Sequence, residues 1–131
     1  MSLDALFEAA KAAQARAYVP YSRFKVGSAI LADDGRVYAG CNVENAAYPS
    51  GTCAEAGSIA AMVLGGGTTI RAILVIGDGP VLCTPCGNCR QRIREFAKGD
   101  TPVHVAGPEG VRRSFTLEEL LPESFGPDNL K

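Results

Sequence analysis

One apolar run, RAILVIG at residues 71–77, constrains the fold of this chain more than any other stretch. After its first residue it contains only aliphatic residues and glycine, with no polar residue at alternate positions. A continuous β-branched run of this kind is typical of a strand that is covered on both faces. The chain must therefore supply helices for both sides of one sheet.

The rest of the sequence predicts helices and strands that surround this run. A first helix is predicted from Leu3 to Val19, where Pro20 stops it. The turn signal Asp33-Asp34-Gly35 joins two strands of a hairpin. The other predicted elements are strands at 24–32, 36–44, 102–107 and 111–116 and helices at 53–64, 89–98 and 117–121. We expect a single domain, residues 1–131, of the α/β class: a three-layer sandwich with a mixed, about five-stranded sheet flanked by helices.

Composition and charge exclude several classes of protein. Apolar residues make up 47% of the chain and charged residues 21%, as in ordinary globular proteins. The net charge of −1 argues against a protein that binds nucleic acid polymers by neutralising phosphates. The apolar stretch at 59–67 is too short to cross a membrane, and the first helix does not resemble a signal peptide. We expect a cytoplasmic protein with no membrane partner.

Three of the five cysteines have a spacing that suits a metal ion. Cys86 and Cys89 form a Cys-x-x-Cys at the start of a predicted helix, so that two sulfurs can approach one zinc at about 2.3 Å. The same spacing also occurs in redox dithiols. Cys53, 33 residues upstream and also at a helix start, is the plausible third ligand. Three protein ligands leave the fourth position of zinc to water, which is the arrangement of a catalytic site.

Glu55 stands two residues after Cys53, and the two side chains point about 200° apart on a helix. Both can nevertheless reach one small object at the mouth of the helix, Cys53 as a ligand and Glu55 as a general acid–base beside the water. Cys-x-Glu followed by Pro-Cys-x-x-Cys, here with Pro85, matches the established signature of zinc deaminases.

The chain resembles the cytidine deaminases, specifically the small homotetrameric nucleoside type. The resemblance extends over four blocks in order: YVPYSRFKVGSAI, GCNVENAAYPSGTCAE, TPCGNCRQ and ELLPESFGPDNL. It implies a cytidine deaminase-like fold, one Zn2+ per subunit and a homotetramer with shared active sites. It also implies the hydrolysis of cytidine and deoxycytidine to uridine, deoxyuridine and ammonia in pyrimidine salvage. The zinc-activated water would attack C4 of cytosine, with Glu55 as proton shuttle.

The resemblance further implies which residues contact the nucleoside. Asn42 and Glu44 would bind the 3′-hydroxyl of the sugar, and Phe24 would form an aromatic wall beside the base. The backbone amide of Ala54 would meet the cytosine O2. Tyr48 and, from a neighbouring subunit, Phe125 complete the set of expected substrate contacts.

Ala56 departs from the family, because many members with three cysteine ligands have arginine after the glutamate. Zinc with three thiolates carries a net negative charge, and ionised Glu55 adds another. We expect Arg90 to offset this charge by donating to a thiolate, with Gln91 beside it in the shell around the ligands. The absence of arginine at this position indicates either a less acidic zinc water or a different compensating donor.

Other candidate residues have structural interpretations. Cys83 makes a second Cys-x-x-Cys with Cys86 and is the competing metal ligand, although Cys86 and Cys89 match the signature better. Cys41 is expected to be a packed strand residue. His104, the only histidine, is expected to be a structural or exposed strand residue. The other basic residues of the third helix, Arg92, Arg94 and Lys98, are expected to lie on a solvated or subunit-facing surface.

Four alternative functions stay open at this point. A blasticidin-S-type or other nucleoside-analogue deaminase shares the zinc motif, but NVEN and SFGPDNL follow the nucleoside enzymes. A nucleotide deaminase needs groups for a 5′-phosphate, and a polynucleotide editor needs a basic, stacking channel. A non-enzymatic structural-zinc module would bind the metal without turnover.

Overall fold

The computed structural model describes residues 2–131 and contains one five-stranded sheet between two layers of helices. The strand order is β2-β1-β3-β4-β5, and β3 and β4 form the one parallel pair among these five strands. The elements are α1 (Leu3–Gln14), β1 (Val26–Ala32), β2 (Val37–Cys41), α2 (Ala54–Leu64), β3 (Ile70–Gly77), α3 (Gly87–Phe96), β4 (Pro102–Gly107), β5 (Gly110–Thr116) and α4 (Leu117–Leu120), with single 3-10 turns at Tyr48–Ser50 and Pro127–Asn129. The predicted three-layer α/β sandwich with a mixed sheet is confirmed.

Strand β3 lies at the centre of the sheet and is buried on both faces, as its sequence predicts. Every residue of β3 except Arg71 is buried. Ile73 packs in the core under α2 and α3, whereas Leu74 packs in the core under α1. This alternation follows from the two-residue period of a strand, and it explains why the run has no polar face.

Two helices end earlier than the sequence predicts. Helix α1 ends at Gln14 and not at Val19, because the chain leaves the helix through short-range turn bonds and Tyr18 pairs with Val43. Helix α3 begins at Gly87, and its last residue is Phe96 because Ala97 is already extended. In both cases a tertiary arrangement overrides a local helical preference.

Two glycines allow helices to lie directly on the strands of the hairpin. A Cβ on Gly40 would clash with the backbone of α2 at Ala54 and Ser58. A Cβ on Gly27 would clash with the backbone of α1 at Ala10, on the other face of the sheet. The close approach at Gly40 fixes the start of α2, where Cys53 and Glu55 lie, against the sheet.

Within residues 2–131, no helix combines the length and the apolar character that a membrane span requires.

Candidate metal centre and active site

Three cysteines meet where α2 and α3 begin. Cys53 is the N-cap residue of α2, Cys86 is the N-cap residue of α3, and Cys89 lies in the first turn of α3. Their sulfurs all lie within 4.8 Å of one another. Neither N-cap cysteine uses its side chain to cap its helix, so both sulfurs stay available for a ligand.

The residues present fit one zinc ion. Three sulfurs that each lie about 2.3 Å from a tetrahedral zinc are roughly 3.8 Å apart, which agrees with a cluster of this size. Burial raises the pKa of Cys53 and, further, that of Cys89. At Cys86 burial acts in the same direction, but hydrogen bonds from the Cys89 and Asn88 amides outweigh it and lower the pKa. Two of the three thiols therefore need a bound cation to be held as thiolates.

The remaining cysteines lie apart from this cluster. Cys83 lines the same cavity, but its sulfur is not in the group of three, and burial raises its pKa to about 11. Cys41 is half-buried at the end of β2. His104 lies in β4 with its Nδ1 2.6 Å from the Ser114 hydroxyl on β5, which supports its structural interpretation.

Glu55 lies in the first turn of α2 and is only 4% exposed. Its side chain helps to line a cavity of about 370 Å3 that also contains Cys53 and Cys86. Burial raises its pKa above the ordinary value of a glutamate. A buried carboxyl group with a raised pKa beside a metal-binding cluster is suited to take up and release a proton near neutral pH.

Asn42 and Glu44 line the same cavity and are already held by the backbone. The Asn42 carboxamide accepts a hydrogen bond from Val26 N–H and donates one to the Phe24 carbonyl, each at 2.9 Å. Oε1 of Glu44 accepts from the amides of Tyr21 and Ser22 at 3.0 and 3.1 Å. The hydrogen bonds from Ser22, and then from Tyr21, lower the pKa of Glu44. Both bonds end on Oε1, so Oε2 of an oriented carboxylate can accept from a ligand.

Three further predicted contact residues surround this cavity. Ala54 is the first residue of α2 and is fully buried, so its N–H is one of the four that lack a partner within the helix. Tyr48 is 75% exposed at the rim and packs against Tyr21, with ring centroids 5.9 Å apart. Phe24 is 39% exposed and precedes β1.

Phe125 lies outside this cavity of its own chain, and its ring is 58% exposed. Nε2 of Gln91 donates to the Phe125 carbonyl at 2.8 Å, and Nε of Arg94 donates to the Ser124 hydroxyl at 2.9 Å. These bonds fix the C-terminal segment on α3 and leave the phenyl ring directed away from them. Gln91 therefore supports the segment that carries Phe125 and makes no recorded bond to a thiol.

The expectation that Arg90 donates to a thiolate is wrong in this structure. Its Nε donates to the Pro85 carbonyl at 2.7 Å, its Nη1 to the Leu120 carbonyl at 2.8 Å and its Nη2 to Thr84 at 3.2 Å. All three guanidinium nitrogens are thus occupied by oxygen atoms. Arg90 joins the Cys-x-x-Cys loop to α4 and does not contact the sulfurs.

Arg92, which we expected on a solvated or subunit-facing surface, supplies the contact to sulfur instead. Its Nη1 lies 3.5 Å from Cys89 Sγ. The sequence contained a usable signal, because residues three apart on a helix are neighbours and Arg92 follows Cys89 by three. Arg90 follows Cys86 by four, so that spacing alone did not discriminate between the two arginines.

A mixed α/β sheet that places a three-cysteine cluster and a buried glutamate at two adjacent helix starts defines a zinc-dependent hydrolytic deaminase. A family model described as the cytidine and deoxycytidylate deaminase zinc-binding region matches residues 1–105. The chain belongs to this family.

Individual relatives agree over nearly the whole length. A cytidine deaminase of Sporosarcina psychrophila is 42% identical over 132 residues, which is 99% of this chain and 96% of that protein. A cytidine deaminase of Mycobacterium tuberculosis is 48% identical over 119 residues, covering 90% of this chain and 85% of that protein. The crystal structure of cytidine deaminase from Burkholderia pseudomallei superposes with a TM-score of 0.90 at 42% identity, covering 95% of this chain and 100% of that one.

Proposed function

We propose that this protein hydrolyses cytidine and deoxycytidine to uridine or deoxyuridine and ammonia, with Glu55 as the proton carrier. One observation carries the proposal: a buried carboxyl group lies on the wall of the same cavity as thiols that can hold one metal ion. The similarity to cytidine deaminases over 99% of the chain supports the choice of substrate.

Cys53, Cys86 and Cys89 would hold the zinc. When bound, zinc supplies a Lewis acid that makes water nucleophilic at neutral pH. Cys83 is left out of the ligand set, because its sulfur lies outside the cluster.

Glu55 would move the protons of the reaction. Water adds its oxygen to C4 of cytosine, and Glu55 transfers one proton of that water to ring N3. Glu55 then transfers the second proton to the exocyclic nitrogen, the C4–N bond breaks, and ammonia leaves as the C4 carbonyl forms. The raised pKa of Glu55, caused by burial, favours this alternation between its two protonation states.

Asn42, Glu44 and the Ala54 amide would orient the nucleoside. The carboxylate oxygen of Glu44 that is not bonded to the backbone is suited to accept from a sugar hydroxyl. The Ala54 N–H at the start of α2 is suited to donate to the cytosine O2. Phe24 and Tyr48 would contact the base and the sugar from the side, as their positions near the rim permit.

The protein is further proposed to be a homotetramer in which Phe125 enters the site of a neighbouring subunit. The exposed ring, held on α3 by bonds to its backbone neighbours, supports this role. Five unpaired cysteines suit a reducing compartment, so we place the enzyme in the cytoplasm. Light scattering of the parent and of Phe125→Ala tests the assembly; a monomeric parent with full activity would refute it.

The decisive experiment is an assay of purified protein against cytidine, deoxycytidine, their 5′-monophosphates and blasticidin S. We expect turnover of the two nucleosides, its loss with a zinc chelator and its recovery when zinc is added back. Preferential turnover of a monophosphate or of blasticidin S would replace the proposed substrate. Bound zinc without any loss of cytidine absorbance would indicate a structural-zinc module.

A further inference from the structure

The metal centre has a charge problem that the other residues of the site do not solve. Zinc held by three thiolates has one net negative charge, and an ionised Glu55 adds a second in a buried position. Position 56, three residues after Cys53, is an alanine. The N-termini of α2 and α3 contribute only local, partial positive charge.

Arg92 is the arginine of α3 that reaches this negative centre. Arg90 is occupied by the carbonyls of Pro85 and Leu120, and Arg94 is bonded to Ser124 on the C-terminal segment. Arg92 instead has its Nη1 3.5 Å from Cys89 Sγ.

The influence of Arg92 extends beyond one sulfur. The hydrogen bond to Cys89 raises the pKa of Arg92, and the negative charges of Cys53 and Cys86 act in the same direction. The Arg92 charge also acts on Glu55, where it opposes the effect of burial. One guanidinium therefore interacts with all four of the groups that would carry negative charge.

We propose that Arg92 is a positioning residue that orients Cys89 and neutralises the thiolate cluster, so that metal uptake depends on it. This inference rests on the proposed function only in that the three cysteines bind zinc; it does not depend on which substrate is turned over. Arg92 touches neither the proposed substrate position nor Glu55, and so it acts through the ligand.

The direction of the effect follows from the charge balance of metal uptake. Three neutral thiols become a zinc–thiolate cluster with one net negative charge when they lose their protons and bind the metal. A nearby positive charge stabilises the more negative state, so Arg92 favours zinc binding at neutral pH. A hydrogen bond to a ligand atom also restricts its orientation, and loss of such partners typically lowers metal affinity about 10- to 100-fold.

The test compares Arg92→Gln, Arg92→Lys and the double variant Ala56→Arg/Arg92→Gln with the parent. Arg94→Gln is the matched control, because it removes an arginine of the same helix that makes no contact with the cluster. Zinc affinity is measured at one neutral pH by competition with a chromophoric chelator, and thermal melting is recorded alongside. Replacement of zinc by Co2+ then reports on the sulfur through its charge-transfer absorption.

We expect Arg92→Gln to lose roughly tenfold or more in zinc affinity, Arg92→Lys to lose less because it keeps the charge, and Arg94→Gln to match the parent. Ala56→Arg is expected to recover part of the loss, because position 56 stands to Cys53 as position 92 stands to Cys89. The Co2+ charge-transfer band of Arg92→Gln should move to lower energy, since a thiolate without its hydrogen bond holds its electrons less tightly.

Unchanged affinity and an unshifted band in Arg92→Gln would overturn the proposal. Equal losses in Arg92→Gln and Arg94→Gln, or no recovery in the double variant, would also overturn it, because the effect would then be a general one of altering α3. Failure of the proposed function is distinguishable: a protein that turns over no nucleoside but loses zinc affinity in Arg92→Gln refutes the function and supports this inference.

Discussion

The hydroxyl of Ser28 on β1 lies 3.0 Å from the hydroxyl of Ser58 on α2, and both side chains are fully buried. Ser58 also donates to the Glu55 carbonyl at 3.0 Å. A hydroxyl has one hydrogen, so Ser28 is the donor in the serine pair. This chain of two bonds joins the sheet to the helical turn that carries Glu55.

Ser58→Ala should destabilise the protein by about 1–3 kcal/mol, because it leaves the buried Ser28 hydroxyl without its partner. Ser28→Ala should cost less, since Ser58 keeps its bond to Glu55. The double variant should be more stable than Ser58→Ala alone. Urea denaturation of the four proteins measures this cycle, and simply additive losses would contradict the assigned direction of the bond.

Glu55→Gln should lower kcat by about 10²- to 10⁴-fold, because an amide cannot carry a proton between water and the base. The amide has nearly the same volume and should keep the fold and stoichiometric zinc. Steady-state kinetics with cytidine, metal analysis and thermal melting together check this. Retention of most of the parent's kcat would remove Glu55 from its proposed role.

Cys89→Ser should lose stoichiometric zinc, whereas Cys83→Ser should retain it. Cys89 belongs to the cluster of three sulfurs, and Cys83 is a neighbouring cysteine outside it, which makes the two substitutions a matched pair. Metal content after gel filtration is the measurement. Loss of zinc in Cys83→Ser would show that the assigned ligand set is incorrect.

Asp33→Asn should destabilise the protein at neutral pH but not in strong acid. The Thr68 hydroxyl, followed by the Thr68 and Thr69 amides, lowers the pKa of Asp33 to about 2. A lowered pKa gives stability that is present above the ordinary pKa of aspartate, near 4, and is lost as the pH falls towards 2.

The difference in urea midpoint between parent and Asp33→Asn should therefore shrink over that interval. Asp100→Asn, another surface aspartate, is the control. A difference that stays constant between neutral pH and about pH 2 would mean that the Asp33 charge is not responsible.

The sequence alone predicted the features that rest on local patterns. The unbroken apolar run of β3 predicted a strand covered on both faces, and the spacing of Cys53, Cys86 and Cys89 predicted one cluster. Strand period and ligand spacing are short-range properties, so a single sequence contains them.

The features that the sequence did not predict depend on distant contacts. Helix α1 stops at Gln14 because Tyr18 pairs with Val43, which lies 25 residues further along the chain. The incorrect choice of Arg90 has the same origin: its guanidinium is occupied by the Leu120 carbonyl, 30 residues away. Neither partner could be identified before the packing of the elements was known.

The position of Cys53 also affects how the metal relates to folding. Cys86 and Cys89 can meet a cation within one turn, but Cys53 closes a loop of 33 residues that contains α2 and β3. In an unfolded chain, closing such a loop costs about 3 kcal/mol in its length-dependent part alone. The folded sheet has already closed it, so the third sulfur distinguishes an assembled chain from an unfolded one. Metal binding at this site consequently selects the chain in which the central strand is in place.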